Sequence, residues 1–377
     1  MTIQTRNAHI DFLRGVAILL VLLLHYALAY GLDNNPLTPL IGKPAVAAVF
    51  FNGNYGVTMF FVVSGFLITS MSLSRWGEPS RLDMRAFYTF RFARIMPSLL
   101  LVLAIIVALG LLGVPYFENK HAGEALPPSY FIIAVGSILT FWHNVLMQSA
   151  GWFNYCLYIY WSLSVEEVFY LALPFVFLAL RRKWLVIAVC LVLIGVGPYY
   201  RSLHTDEELF FECGYFACFD AIAMGCITAM LVARHKVDGG VAKALRIAGG
   251  AGIVGFYLWG IDGHEVWGFT LVALSTAVYI VGSVRDEKAT FAASRATAFV
   301  RWFGRHSYEL YLFHIVVLAL MRNIWDKKTL PAALWVPWFA VFIAAAALAG
   351  MLVSRFVSEP ANKAIRARLT PRATSAG

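Results

Sequence analysis

The sequence predicts an all-α, polytopic membrane protein of about ten transmembrane helices, with both termini cytoplasmic and one segment that enters without crossing. Three observations carry that reading. The 377 residues are 60% hydrophobic and only 14% charged, whereas soluble domains carry roughly 25% charged and about 45–50% apolar residues. Mean hydropathy is +0.72. Apolar stretches long enough to cross a hydrocarbon layer of ~30 Å recur along the whole chain, separated by polar or basic loops. The net charge of +9 does not call for nucleic acid, because lysine and arginine in such a protein gather in cytoplasmic loops and set its orientation.

The first apolar run, His9 to Tyr26, carries Asp11, Arg14 and His25. At about 100° per residue, Arg14 and His25 fall within about 20° of each other on a helix, roughly 16 Å apart along its axis. Asp11 and Arg14, at i,i+3, can pair near its end. An ionisable group deep in a span is expensive and marks a functional site by default. The blander reading of His25, a hydrogen bond that only sets helix packing, carries less weight with Arg14 on the same face. Ala27-Leu28-Ala29 has the small residues of a signal-peptidase site, but the preceding charges and the many later spans mark this as a retained first span.

A loop with Pro36, Pro39, Lys43 and Pro44 leads to a second span, about Gly56–Ser74, with Ser64-Gly65 near its centre. The basic connection Arg75, Arg81, Arg85, Arg91, Arg94 precedes a third, about Ile95–Val114, with Pro97 in its first turn. Two apolar stretches follow, about Tyr130–Leu146 and Trp161–Leu180. After Arg181-Arg182-Lys183, spans run to about Val196, over Phe211–Val232 with Asp220 and Gly225, then over Ile247–Gly260 and Val266–Gly282. The loop Arg285–Arg305 precedes Ser307–Met321, and Leu334–Val353 is the last span before a basic tail reaching Arg372. Placing every basic cluster (75–94, 181–183, 234–246, 285–305, 355–372) on the cytoplasmic side requires that one stretch not cross. Tyr130–Leu146, which ends near Trp142, His143 and Asn144, is that stretch, re-entrant or interfacial, capping a site from outside. With no repeat, low-complexity tract or linker, residues 1–377 are expected to form one domain without an appended soluble catalytic domain. Cys156, Cys190, Cys213, Cys218 and Cys226 form no CxxC pair and have no histidine at zinc spacing, so neither a metal nor a disulfide framework is expected.

Four motifs carry chemistry. Arg91-Phe-Ala-Arg94 puts two guanidiniums on one helix face, a match for phosphate oxygens, although topology alone also accounts for basic residues there. In Trp161-Ser-Leu-Ser-Val-Glu166-Glu167, a serine is expected to cap the helix with a glutamate in its first turn; the second carboxylate is placed to hold an acceptor hydroxyl or to orient His25. Asp220 either bonds across helices or joins the same buried cluster. His314, with Tyr311 on its face, is a second histidine at membrane depth, and Arg355, Glu359 and Pro360 read as a helix stop with a local ion pair.

In this order, LRG with His25 downstream, FFVVSGFLI, RFARIMP, YWSLSVEEVFYL, the Asp220–Gly225 segment, GRHSYELYLFH and Glu359-Pro360 resemble the acyltransferase-3 family of membrane O-acyltransferases over nearly the whole chain. The sequence departs from the family pattern at Val168, Glu309, Phe313 and Ile315. The resemblance implies transfer of an acyl group, usually acetyl, from a cytoplasmic coenzyme A thioester to a hydroxyl of a glycan or other cell-envelope acceptor. It also implies functional roles for Arg14 and His25 and for Arg91 and Arg94. Residue chemistry agrees: arginines suit the coenzyme A phosphates, and the pantetheine arm suits the depth of the stripe. A neutral imidazole at His25 suits a general base, with an acyl-histidine as a variant, and Arg14 or Ser64 suits the thioester oxyanion. Glu167, Asp220 and His314 complete the candidate polar site. Two other readings stay open. One is a polar-solute transporter with a His/Asp/Glu proton relay, against which no inverted repeat is visible. The other is a donor module serving a separate periplasmic transferase. The bacterial cytoplasmic membrane is the expected location; acceptor identity, acyl length and oligomeric state are not written in the sequence.

Overall fold

The computed structural model describes residues 7–121, 123–234, 237–284 and 291–369. The basic residues His235, Lys236 and Arg285 and the tail beyond Leu369, all expected in cytoplasmic connections, lie outside the described residues. Among the described residues the fold is all-α apart from one two-stranded hairpin, Lys120–His121 with Glu124–Ala125.

The principal helices, in chain order, are α1 (Ala8–Tyr30), α2 (Asn54–Trp76), α3 (Met84–Leu111), α4 (Tyr130–Leu139), α5 (His143–Ala150), α6 (Trp161–Leu180) and α7 (Lys183–Ser202). They continue as α8 (Tyr215–Arg234), α9 (Gly239–Trp259), α10 (Gly268–Ser283), α11 (Ala298–Arg305), α12 (Ser307–Arg322), α13 (Trp335–Val353) and α14 (Glu359–Leu369). Eight of the described helical stretches, those containing α1, α2, α3, α6, α7, α8, α9 and α13, are long and apolar enough to cross a membrane.

Local chemistry sets the helix ends. Asn7 caps α1, its side chain accepting from the amides of His9 (2.8 Å) and Ile10 (3.4 Å). Asp83 caps α3 through the Ala86 amide at 3.1 Å. That cap starts α3 well before the expected Ile95, so the basic stretch from Arg85 to Arg94 is helical and Pro97 lies inside the helix rather than in its first turn. Two further expectations are corrected. Neither Ser162 nor Ser164 caps α6, because a 3-10 turn, Tyr158–Tyr160, feeds directly into it and puts both serines inside it; Ser164 Oγ instead accepts the amide of His143, the first residue of α5, at 3.2 Å. Nor does the chain stop at Glu359-Pro360. A π-helical turn, Ser354–Ser358, carries it into α14, whose first turn tolerates Pro360 because an amide there needs no intrahelical partner.

The stretch expected not to cross is broken in two. Helix α4 has ten residues and α5 eight, so each rises only about 12–15 Å, half a hydrocarbon layer or less. Phe141 sits between them at φ 63°. Its carbonyl accepts from the Tyr215 hydroxyl, His143 Nδ1 meets Ser137 Oγ at 2.8 Å, and Asn144 donates to the Cys213 carbonyl at 3.1 Å. Irregular backbone of this kind survives at depth only when protein satisfies it, as here.

Helix α1 is the axis of the bundle, packing on α2, α11 and α12, while α8 packs on α2, α7 and α10. Two close approaches need glycine. A Cβ at Gly304 would strike the Asp11 carbonyl, and Cβ atoms at Gly65 and Gly225 would strike the carbonyls of Ile222 and Val62. The first brings the start of α12 against Arg14; the second sets α2, which carries Ser64, closely against α8.

Candidate active site

The two histidines expected at membrane depth meet. His314 Nε2 lies 3.2 Å from His25 Nδ1, and the ring centroids are 4.8 Å apart. The surrounding carbonyls decide the tautomers. His25 Nδ1 is 2.8 Å from the Val21 carbonyl, and His314 Nδ1 is 2.8 Å from that of Tyr311 and 3.1 Å from that of Leu310. A carbonyl only accepts, so both Nδ1 atoms carry hydrogen. The His25 Nδ1–H is then shared between Val21 and the unprotonated Nε2 of His314, and His25 Nε2 keeps its lone pair. Among the described residues no hydrogen bond reaches that Nε2. Both rings are buried, and Tyr158 packs against His25 at 5.6 Å. Because α1 continues to Tyr30, His25 stands about 8 Å short of its C-terminal end rather than at its middle.

A second group lies further back along α1. Arg14 Nη2 donates to Ser307 Oγ at 2.8 Å. The carboxylate of Glu166 has Arg91, Ser64, Arg14 and Tyr170 as its neighbours, the Tyr170 hydroxyl at 3.5 Å. Glu167 pairs with Arg91 at 3.5 Å, and the Arg91 guanidinium lies 3.7 Å over the Tyr170 ring. Helices α1, α2, α3, α6 and α12 thus each contribute to one seam. Tyr311 extends it toward the histidines: its hydroxyl meets Ser162 Oγ at 2.7 Å, and its ring lies 5.8 Å from that of His314. Arg14, Ser64, Glu166, Arg91 and Tyr311 are all half-buried, although they sit among packed helices.

The structure divides the expected set. His25, His314, Arg14, Ser64, Arg91, Glu166 and Glu167 line the seam, and Asp11 is buried under Gly304 at the end nearest Arg14. The RxxR pair splits. Arg91 turns inward to Glu167, while Arg94 is exposed with its guanidinium 6.0 Å over Tyr308. Near Arg94, Arg75 and Arg366 both rest on the ring of Phe90, at 4.2 and 4.8 Å. Glu166 faces the arginines rather than His25, whose orientation comes from His314 and Val21. Asp220 belongs to a different cluster, bound at 2.8 Å to Arg201, a residue the sequence reading passed over. One arginine closing the apolar run that ends Gly-Pro-Tyr-Tyr-Arg201 is the signal that was available.

Comparison with known proteins adds the chemistry. Residues 7–355 match the acyltransferase domain family. The chain belongs to the acyltransferase-3 family. It is similar to the peptidoglycan O-acetyltransferase OatA of Listeria monocytogenes, 27% identical over 330 residues, covering 82% of this chain and 51% of that protein. It is also similar to the O-acetyltransferase OatA of Staphylococcus aureus, 23% identical over 332 residues, covering 82% and 53%. The chain therefore spans about half the length of the curated relatives it matches. No solved structure matches it significantly.

Proposed function

We propose that the protein moves an acetyl group from coenzyme A on the cytoplasmic side to a hydroxyl of a cell-envelope glycan, with His25 as general base. The observation that carries this reading is the contact between His25 and His314. It pins the His25 hydrogen on Nδ1 and leaves Nε2 to receive a proton. His314, held by two backbone carbonyls, acts as the orienting partner that a catalytic base requires. In the proposed step the acceptor O–H gives its proton to His25 Nε2 while its oxygen bonds to the thioester carbonyl carbon. The C–S bond then breaks, and the proton on His25 is returned to the leaving sulfur. Arg14, about 16 Å back along α1 from His25, and Ser64 flank the path of the donor rather than the reacting carbon. Glu166 and Glu167 hold Arg14 and Arg91 in place.

The donor's phosphates fit the exposed arginines best. Arg91 is committed to Glu167, which leaves Arg94, with Arg75 and Arg366 close by, as the anion-binding surface at the inner face. Ten spans follow if α10 and α12, sixteen residues each, cross together with the eight longer stretches. Both termini are then cytoplasmic, α4 and α5 form an outer cap, and residues 1–377 act as one unit in the bacterial cytoplasmic membrane. The alternative is a hand-over arrangement, in which the acyl group passes to an extracytoplasmic transferase rather than directly to the glycan.

The test is release of coenzyme A by purified protein given acetyl-coenzyme A and isolated envelope glycan. Glycan-dependent release that is lost in a folded His25→Ala variant is the expected result. Wild-type turnover in that variant overturns the role of His25, and release independent of any glycan points to the hand-over arrangement.

A further inference from the structure

At the opposite end of α12 from Ser307 stands a guanidinium that the seam does not use. Arg322 is the last residue of α12, half-buried, with its Cζ 4.0 Å from the ring centroid of Tyr116 and 4.8 Å from that of Tyr155. Two rings therefore hold it by cation–π attraction. Its Nε and the Tyr155 hydroxyl are both closed off from solvent, the hydroxyl lying against the guanidinium. Carboxylates close in sequence are already engaged. Glu118 pairs with Lys120 at 2.6 Å. Asp326 accepts from the amides of Lys328 (2.8 Å) and Thr329 (2.9 Å) and from the Thr329 hydroxyl (3.1 Å). Among the described residues Arg322 makes no ion pair. Tyr116 holds its place at φ 71°, a left-handed conformation that a bulky side chain adopts only when its surroundings impose it.

From this cation a run of rings leads to the base. Tyr155 lies 6.0 Å from Tyr158, and Tyr158 lies 5.6 Å from His25. The exposed Trp152 sits edge-on to Tyr158 at 5.3 Å. Along α12, Arg322 is about 12 Å from His314, the reach of a short oligosaccharide rather than of a small alcohol. Aromatic faces suit sugar rings, and a planar guanidinium fork suits a carboxylate.

We infer that Arg322, stacked between Tyr116 and Tyr155, receives a carboxylate of the acceptor, so that the glycan modified is an acidic one whose reacting hydroxyl lies about 12 Å from that charge. This rests on the acyl-transfer reading above. The other source of an anion at this depth is a phospholipid headgroup; the rings that continue to His25 favour the acceptor.

The experiment uses purified protein in a maltoside detergent free of phospholipid, with acetyl-coenzyme A and envelope glycan from the protein's own source. The glycan is used either native or with its carboxylates converted to neutral amides by a carbodiimide and an amine. Amidation is expected to raise the wild-type KM for glycan at least tenfold. Arg322→Gln is expected to show that raised KM on native glycan and no further rise on the amide. Arg322→Lys, which keeps charge without the fork, is expected to fall between. Coenzyme A binding, measured separately, stays at the wild-type level in both variants and reports that they are folded. Equal wild-type KM for the two glycans overturns the proposal, as does an Arg322→Gln variant that still discriminates between them. An Arg322→Gln effect that appears when phospholipid is added to the micelles and is missing in the phospholipid-free detergent assigns the site to lipid and also overturns it. Absence of transfer to either glycan by wild type instead overturns the transferase reading, a result distinguishable from the others.

Discussion

Two of the buried polar clusters in this bundle are built on opposite terms. In the cluster of α7, α8 and α10, Arg201 and Asp220 are 0% and 1% exposed. Every nitrogen of the guanidinium is engaged: Nε by the Val266 carbonyl at 3.0 Å, Nη1 by the Ala217 carbonyl, and Nη2 by Asp220 and Thr270. Thr270 in turn donates to Asp220 at 2.7 Å, and the other carboxylate oxygen accepts the Ala221 amide at 2.8 Å. Nothing there is left to bind. The seam around His25 is looser. Its ion pair and its Tyr170–Glu166 contact are both 3.5 Å long, Arg91 Nε is buried without a partner, and His25 Nε2 is open. A buried charge that is fully satisfied is scaffold, whereas incomplete satisfaction is affordable only where a ligand completes it.

That contrast can be broken in several ways. The largest effect is expected at His25. His25→Ala should lower glycan-dependent coenzyme A release by ~10²–10⁴-fold while the melting temperature in detergent stays near wild type; an equal loss of stability would make His25 scaffold too. Next comes the closed cluster, where Arg201→Met strands the Asp220 carboxylate and should cost about 3–5 kcal/mol, read from denaturant unfolding in mixed micelles. The double variant Arg201→Met/Asp220→Leu should recover much of that loss, and turnover per folded molecule should barely change in either. Gly65→Ala, which drives a methyl group into the Ile222 carbonyl, should cost ~1–3 kcal/mol by overpacking. Because Ser64 moves with it, activity should fall as well, and an active but destabilised variant would separate Ser64 from the site. Tyr170→Phe is the mildest. It removes one long contact and keeps the ring under Arg91, so unfolding should shift by no more than ~0.5–1.5 kcal/mol; a larger shift would show that the seam is bonded more tightly than its distances imply.

How much of the site was legible depended on the kind of signal. His25, Arg14, Glu166, Glu167 and His314 stood out because an ionisable group within an apolar run is costly wherever the run folds. Arg94 and Arg91 looked alike in sequence, three residues apart, yet Arg91 meets Glu167 while Arg94 stays exposed. Only the packing of α3 against α6 distinguishes them. Asp220 looked like a member of the seam because nothing local records that Arg201, nineteen residues away, would reach it first. Arg322 was passed over because a cation at a helix end is ordinary; its two tyrosines come from distant loops.

By itself, then, the sequence determined the class of the fold and the cost-bearing residues, since hydrophobic length and buried charge act within a single helix. Tertiary structure decided which charges pair, which histidine nitrogen keeps its lone pair, and where Pro97, Ser162 and Glu359 fall relative to helix ends. Those outcomes depend on distances between separate helices, and side-chain hydrogen bonds lose their grip within an ångström.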